Sequence, residues 1–338
     1  MRAVRVREFG PLDKMDLEET PEPVPGPGEV LVDVRAAPVN YVDLLTARGL
    51  YQFRPALPYI PGKGPAGVVK AVHESVVGLR PGDRVLAMAE YGGYAETVAV
   101  DARHVYPLPA TLSSADAAAM SLAFDTAWMA LRERARLRPG ESVLVLGASG
   151  AVGGAAVQLA KAMGAARVLA GVSSPDRYAG LAEAGADGYV DLSQADLRNS
   201  VREQVYRATD GAGVDVVVDP LGGDAFDGAV RALAWRGRLV IVGFAAGRIP
   251  VLKMNYPLLK NIEVSGLQIS DYRKRAPEIV AECFQEIFRF VEEGRVRPPG
   301  HTDVPLAEWR TAVTAVDART AGSRMVLVPD EPAPGAAR

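Results

Sequence analysis

The feature that most constrains the fold is a repeated pattern of apolar strand, glycine-containing turn and helix that begins at Glu141. Units of this kind need right-handed crossovers, so they form a parallel sheet covered by helices on both faces. We therefore predict a doubly wound α/β domain. In chain order the segments are SVLVLGAS, AVQLAKAMGA, RVLAGVSS, PDRYAGLAEAGA, GVDVVVDPLGG, DAFDGAVRALAWRG and RLVIVGF.

The chain before this pattern is different. From Met1 to about Val100 the apolar residues alternate in short runs separated by Pro-Gly and Gly-Gly turns, which predicts an antiparallel β domain. The period then becomes helical, and Ser113 followed by Asp116 predicts a helix cap. After Leu267 the pattern is mixed, so we expect the chain to return to the first domain. The predicted domains are residues 1–122 with 268–330, residues 123–267, and a disordered Pro-rich tail, residues 331–338.

Composition excludes several classes of protein. The 338 residues carry a formal charge of -3, and no basic run indicates nucleic-acid binding. The N-terminus alternates charged and apolar residues, unlike a signal peptide, and no segment is apolar enough to span a bilayer. We therefore expect a cytoplasmic protein with no nucleic-acid or membrane partner.

The single cysteine, Cys283, excludes an intrachain disulfide framework and a thiolate cluster. It lies on a predicted helix where Ile279, Cys283, Ile287 and Val291 recur every four residues, which predicts a buried core position.

The turn VLVLGASGAVGG places three glycines between a buried strand and a helix. Such glycines allow a tight bend, a close approach to a pyrophosphate and close packing of helix on strand. We predict a dinucleotide site here, formed by Gly147, Ser149, Gly150, Ala151, Val152 and Gly153. Two alternatives stay open: glycines that serve packing only, and a nucleophile elbow, for which only His301 follows the serine as a possible base.

The end of the next strand, in RVLAGVSSPDR, bears on which dinucleotide is bound. Ser173, Ser174 and Arg177 offer hydroxyls and a fixed cation suited to a 2′-phosphate, which favours NADPH. Asp176 could instead reach the ribose hydroxyls of NAD, and a solvated helix start would also explain this stretch.

These elements together resemble the medium-chain dehydrogenase/reductase superfamily, and in particular its zinc-free NADPH:quinone oxidoreductase (zeta-crystallin-like) family. The resemblance extends along nearly the whole chain. It implies a GroES-like antiparallel β catalytic domain and a Rossmann cofactor domain, with the reaction in the cleft between them. The motifs that carry it are APVNYVDLLTARGLY, LPYIPGKGPAGVV, GASGAVGG, DPLGGDAF, RLVIVGFAAGRIP and LLKNIEVSGL.

The same resemblance implies a site without metal. In the zinc-dependent members, the turn matching PGKGPAG carries a histidine and a glutamate, whereas here Lys63 and Gly64 occupy those places. The cysteine ligand expected near Asn40 and the four-cysteine lobe for structural zinc are both missing. Without a Lewis acid the natural acceptors are already electrophilic: quinones, or carbon–carbon double bonds conjugated to a carbonyl.

The resemblance also implies the site residues. Asn40 would hold the nicotinamide ribose or the substrate carbonyl, and Tyr51 would polarise the acceptor oxygen, although a core aromatic is an equal interpretation. Tyr59 and Lys63 would face the substrate. Lys63 departs from the family pattern, so it either draws in an anionic substrate or is an ordinary exposed lysine. Further cofactor contacts are expected from Thr126, Gly243, Phe244, Ala245, Leu267 and Arg324. Arg324 would lie over the phosphates, and the alternative is an exposed surface arginine.

The leading hypothesis is therefore an NADPH-dependent quinone reductase. One alternative is an enoyl reductase acting on an α,β-unsaturated acyl-CoA, ketone or acid, and another is a non-catalytic NADPH-binding protein. The strand NIEVSGLQI at the expected sheet edge predicts a homodimer.

Overall fold

The computed structural model describes residues 1–330, so the predicted disordered tail, residues 331–338, lies outside the described residues. The chain forms two compact units: Met1–Leu122 with the chain from Pro298 onward, and Ala123–Arg297. The return to the first unit at Pro298 comes later than the boundary at 268 expected from the sequence. No helix within residues 1–330 combines the length and apolar character needed to cross a bilayer.

The first unit is built mainly of antiparallel strands. Its strands are β1 (Arg2–Val6), β2 (Met15–Glu19), β3 (Glu29–Pro38), β4 (Ala66–Val72), β5 (Arg84–Ala87), β6 (Thr97–Asp101), β7 (Val105–Pro107), β14 (His301–Pro305) and β15 (Arg324–Val328). Its helices are α1 (Tyr41–Ala47), α2 (Ser114–Met120) and α11 (Trp309–Asp317).

Seven of these strands form one sheet in the order β14-β15-β3-β4-β5-β7, with β6 also paired to β3, while β1 and β2 form a separate pair. Only β14 and β15 run parallel. The predicted cap is confirmed, because Ser113 Oγ accepts a hydrogen bond from the Asp116 N–H at 3.0 Å.

The second unit is an α/β sandwich. Its strands are β8 (Ser142–Val145), β9 (Arg167–Val172), β10 (Gly188–Asp191), β11 (Val214–Asp219), β12 (Leu233–Ile241) and β13 (Glu263–Gly266). Its helices are α3 (Ala123–Trp128), α4 (Ala151–Ala162), α5 (Tyr178–Glu183), α6 (Leu197–Ala208), α7 (Gly223–Ala232), α8 (Asn255–Lys260), α9 (Ile269–Arg275) and α10 (Pro277–Glu292).

The six strands are all parallel and lie in the order β10-β9-β8-β11-β12-β13. This order confirms the doubly wound fold: successive units extend one way from β8 to β10 and the other way from β11 to β13. Ligands of such sheets bind outside the carboxyl ends of the strands, where the order reverses. Here that point lies between β8 and β11.

Two polar contacts explain why α9 and α10 belong to the second unit. Arg273 on α9 forms a fully buried ion pair with Asp125 on α3 at 2.7 Å. The indole N–H of Trp128 donates to the carboxylate of Glu286 on α10 at 2.7 Å. Cys283 on the same helix is completely buried, as predicted, and burial raises the pKa of its thiol well above the usual value.

Candidate active site

A pocket of about 550 Å³ opens at the carboxyl edge of the parallel sheet, beside the point where the strand order reverses. It lies wholly within the second unit. Its walls come from the turns that follow β8, β9, β10, β11 and β12. The lining residues are Gly147, Ser149, Gly150, Val172, Ser173, Arg177, Leu192, Leu197, Leu221, Gly222, Gly223, Asp224, Ala225, Ala246 and Arg248.

The glycine turn has the geometry that a dinucleotide requires. Gly147 adopts a φ of +60°, which favours glycine. A Cβ on Gly153 would lie 2.2 Å from the carbonyl oxygen of Gly147, so α4 packs on the turn as only glycine permits. No side chain caps the start of α4, so the N–H groups of its first turn can bind an anion. Ala151 and Val152 begin this helix, so their N–H groups are among those that fit a pyrophosphate.

The end of β9 supplies the side chains predicted for the nucleotide. Ser173 and Arg177 both line the pocket, whereas Asp176 does not. Within residues 1–330 the side chain of Arg177 forms no hydrogen bond or ion pair, so its guanidinium is available to a ligand. Ser174 precedes the short helical turn Pro175–Arg177.

Other predicted cofactor residues do not line this pocket. Thr126 is buried on α3, where its N–H donates to the Asp125 carboxylate at 2.9 Å. Gly243, Phe244 and Ala245 follow β12 and Leu267 follows β13, but the loop reaches the pocket through Ala246 and Arg248 instead.

The pocket wall formed by Leu221–Ala225 was not predicted from the sequence. The segment DPLGGDAF supplied a usable signal, because it follows the strand next to the switch point and its two glycines free the backbone there. Gly222 and Gly223 indeed adopt φ values of +66° and +58°.

In the first unit, Asn40 is the centre of a buried hydrogen-bond network. Its amide Nδ2 donates to Asp43 Oδ2 and to the Lys63 carbonyl, each at 3.3 Å. Its Oδ1 accepts from the Arg324 guanidinium at 2.8 Å. Both amide protons are therefore committed, so Asn40 retains only acceptor capacity for a ligand.

Asp43 and Tyr94 extend this network. The Tyr94 hydroxyl and the Asn40 N–H both donate to Asp43 Oδ2 at 3.2 Å. Burial raises the pKa of Asp43 to about 6, against the opposing effect of the Lys63 charge.

Arg324 is a half-buried residue of the same network. Besides Asn40, it bonds the Ala119 carbonyl through Nε at 3.2 Å, so the alternative of a free, exposed arginine is wrong.

Lys63 differs from the exposed loop lysine considered above. It is only 3% exposed, and its ammonium donates to the Glu90 carboxylate at 2.5 Å and to the Glu90 carbonyl at 3.0 Å. The sequence could not reveal this pairing. An anionic substrate would have to compete with Glu90 for the same ammonium.

The two candidate tyrosines have different surroundings. Tyr51 is half-buried. Tyr59 is 5% exposed and packs against the rings of Phe9 and Tyr91. Its hydroxyl has no hydrogen-bond partner within the described residues, and burial raises the pKa of this phenol above its usual value. Tyr59 therefore retains an unused donor.

A catalytic zinc needs three protein ligands, and the residues described here do not supply that set. Within residues 1–330, no group of three or more His, Cys, Asp or Glu side chains is arranged to hold a metal ion. His301, the base required by the hydrolase alternative, contacts Asp303 at 2.7 Å and Asp116 at 3.4 Å in the first unit.

Comparisons with known proteins agree with this architecture. Residues 26–110 match the alcohol dehydrogenase GroES-like domain, and residues 151–286 match the zinc-binding dehydrogenase family. Quinone oxidoreductase-like protein 2 of Mus musculus is 36% identical over 310 residues, covering 92% of this chain and 87% of the mouse protein.

Two further matches bear on the chemistry. A mycobacterial protein solved in complex with NADPH superposes with a TM-score of 0.87 at 28% identity, covering 97% of this chain and all of that one. A mycocerosic acid synthase-like polyketide synthase of Mycobacterium tuberculosis is 33% identical over 96% of this chain, which spans 15% of that protein.

Proposed function

Because the chain belongs to the medium-chain dehydrogenase/reductase superfamily, among its quinone oxidoreductase-like members, we propose that it is an NADPH-dependent quinone reductase. The observation that carries the cofactor assignment is the unpaired Arg177 in the nucleotide pocket beside Ser173. A guanidinium and a hydroxyl suit the 2′-phosphate. The mycobacterial neighbour solved with NADPH supports the same choice.

Bound NADPH would supply the hydride. The turn at Gly147–Gly153 and the start of α4 bind the pyrophosphate, and Ser173 and Arg177 bind the adenosine 2′-phosphate. Reduction of a quinone places negative charge on its oxygen, which a positioned hydrogen-bond donor stabilises. We assign that donor to the Tyr51 hydroxyl, since the amide protons of Asn40 are already committed. Asn40 would instead accept a hydrogen bond from a hydroxyl of the bound cofactor or substrate.

The second candidate function is reduction of a carbon–carbon double bond conjugated to an acyl thioester. The observation that favours it is the match of nearly the whole chain to a segment of a polyketide synthase.

The assembly we propose is a cytoplasmic homodimer. β13 is the outer strand of the parallel sheet and pairs only with β12 among the described strands. Large apolar side chains are exposed before it, at Ile249, Val251, Met254, Leu258 and Leu259. An open strand beside apolar surface favours pairing with a second copy.

The experiment that tests the function is NADPH oxidation by the purified protein against matched panels of quinones and enoyl-CoA esters. We expect turnover with the quinones and loss of kcat, with the NADPH Kd unchanged, in Tyr51→Phe. Turnover confined to the enoyl panel would establish the second candidate. NADPH binding with no turnover on either panel would identify a non-catalytic binding protein.

A further inference from the structure

Asp219 is the last residue of β11, and its side chain is completely buried. Its Oδ1 accepts hydrogen bonds from the N–H groups of Leu221 at 2.9 Å and Gly222 at 2.8 Å. Its Oδ2 has no hydrogen-bond partner within residues 1–330. Burying a carboxylate is costly, so a residue of this kind in a core requires an explanation.

The two N–H groups belong to a turn that forms one wall of the nucleotide pocket, since Leu221 and Gly222 both line it. Leu221 also lies against the opposite wall: a Cβ on Gly147 would come within 2.8 Å of Leu221 Cδ2. The turn that hydrogen-bonds to the Asp219 carboxylate is therefore the one that meets the glycine turn after β8.

A third wall depends on the same turn. The Ala246 N–H donates to the Leu221 carbonyl at 3.0 Å, and the Gly223 N–H donates to the Arg248 carbonyl at 3.0 Å. Ala246 and Arg248 both line the pocket. Asp219 itself is absent from the lining, so any effect it has on a ligand must pass through these segments.

We propose that Asp219 is a positioning residue of the nucleotide pocket: its carboxylate holds the Leu221–Gly222 turn, and through it the Ala246–Arg248 loop, in the conformation that binds the cofactor. The inference rests on the proposed function, because it takes the ligand to be a nicotinamide dinucleotide.

The protonation state of Asp219 gives this role a distinctive signature. Burial raises the pKa of Asp219 to about 6, while its two N–H donors lower it, and no charged side chain among the described residues adds to these causes. Below that pH the carboxyl gains a proton and its charge-assisted hydrogen bonds weaken.

The experiment is calorimetric titration of NADP⁺ into the unaltered protein and into Asp219→Asn and Asp215→Asn, at neutral and at mildly acidic pH. Asp215 is the matched control. It lies on the same strand, and its Oδ2 accepts from the Ser142 N–H at 2.8 Å and the Ser142 hydroxyl at 2.7 Å, but it does not line the pocket.

We expect Asp219→Asn to raise the Kd at neutral pH by about tenfold, the effect of losing a charged hydrogen-bond acceptor, while Asp215→Asn leaves it unchanged. The ratio of the Kd of Asp219→Asn to that of the unaltered protein should fall toward one below pH 6, because Asp219 itself is then protonated. Taking this ratio cancels the titration of the 2′-phosphate itself, which occurs in the same range. A ratio near one at neutral pH, or equal effects of both variants, would overturn the positioning role.

If Asp219→Asn does not fold, hydrogen exchange on the unaltered protein tests the same point. After correction for intrinsic rates, peptides covering 219–224 and 243–250 should exchange faster below pH 6, and the peptide containing Ser142 should not. Unchanged protection would contradict the proposal. Failure of the unaltered protein to bind NADP⁺ or NAD⁺ would instead refute the proposed function, and with it the role of Asp219.

Discussion

At the scale of single residues, Arg177 should decide between the two dinucleotides. Its guanidinium lines the pocket with no side-chain partner within residues 1–330. The 2′-phosphate of NADPH can therefore contact Arg177, whereas NADH has no phosphate at that position. We expect Arg177→Ala to weaken NADPH binding by about ten- to a hundredfold, the effect of losing a charged hydrogen bond, and to leave NADH binding unchanged. Fluorescence titration of both cofactors measures this.

The control for that variant is Arg167→Ala, because Arg167 is an exposed residue at the start of β9, whereas Arg177 follows the end of that strand. Equal losses of affinity for NADPH and NADH in Arg177→Ala would show that Arg177 does not read the 2′-phosphate.

The site residues differ in how far the sequence could predict them. The need for glycine at positions 147 and 153 was predictable because it arises from the strand–turn–helix sequence within a few residues of each position. The burial of Lys63 was not, because its partner, Glu90, lies 27 positions away and nothing local indicates the pair. Asn40 shows the same limit, since its amide orientation depends on Arg324, which is 284 positions away.

At the scale of elements, the Asp125–Arg273 pair should fix α9 to α3. Both side chains are 1% exposed or less, so removing one charge leaves the other buried without this ion-pair partner. We expect Asp125→Leu or Arg273→Met to reduce the free energy of unfolding by about 3–5 kcal/mol, and the double change Asp125→Leu/Arg273→Met to cost less than the sum of the two. Urea unfolding followed by circular dichroism measures this coupling.

Arg289→Met is the comparison for this pair, because the exposed side chain of Arg289 forms ion pairs with Glu286 on α10 and with Glu293 just after it. Such pairs contribute at most about 1 kcal/mol. Strict additivity of the two buried substitutions would mean that the ion pair does not join the helices.

The same pair explains why the boundary between the two units was predicted less well than the fold class. Strand–turn–helix periodicity is a local signal, so the parallel sheet was predictable from β8 to β12. The assignment of α9 and α10 depends on Arg273 meeting Asp125, 148 positions earlier in the chain. Periodicity carries no information about such a contact.

At the scale of the whole molecule, the open edge at β13 predicts a dimer that apolar side chains stabilise. Leu259, 73% exposed on α8 just before that strand, should be covered by the second copy. We expect Leu259→Glu to give a monomer by light scattering, because burying a carboxylate in an apolar interface is costly.

Val77 provides the control, since it is 93% exposed but lies in the first unit. Val77→Glu should remain a dimer. A monomeric unaltered protein at micromolar concentration would contradict the predicted assembly.

The discontinuity of the first unit also has a consequence for synthesis. β15 pairs with β3 at Ala37 and Pro38, so one edge of β3 stays unpaired until the whole of the second unit has been translated. The second unit, by contrast, is one uninterrupted stretch, Ala123–Arg297. Since domains fold as units while the chain emerges from the ribosome, the second unit can complete its fold before β15 completes the sheet of the first.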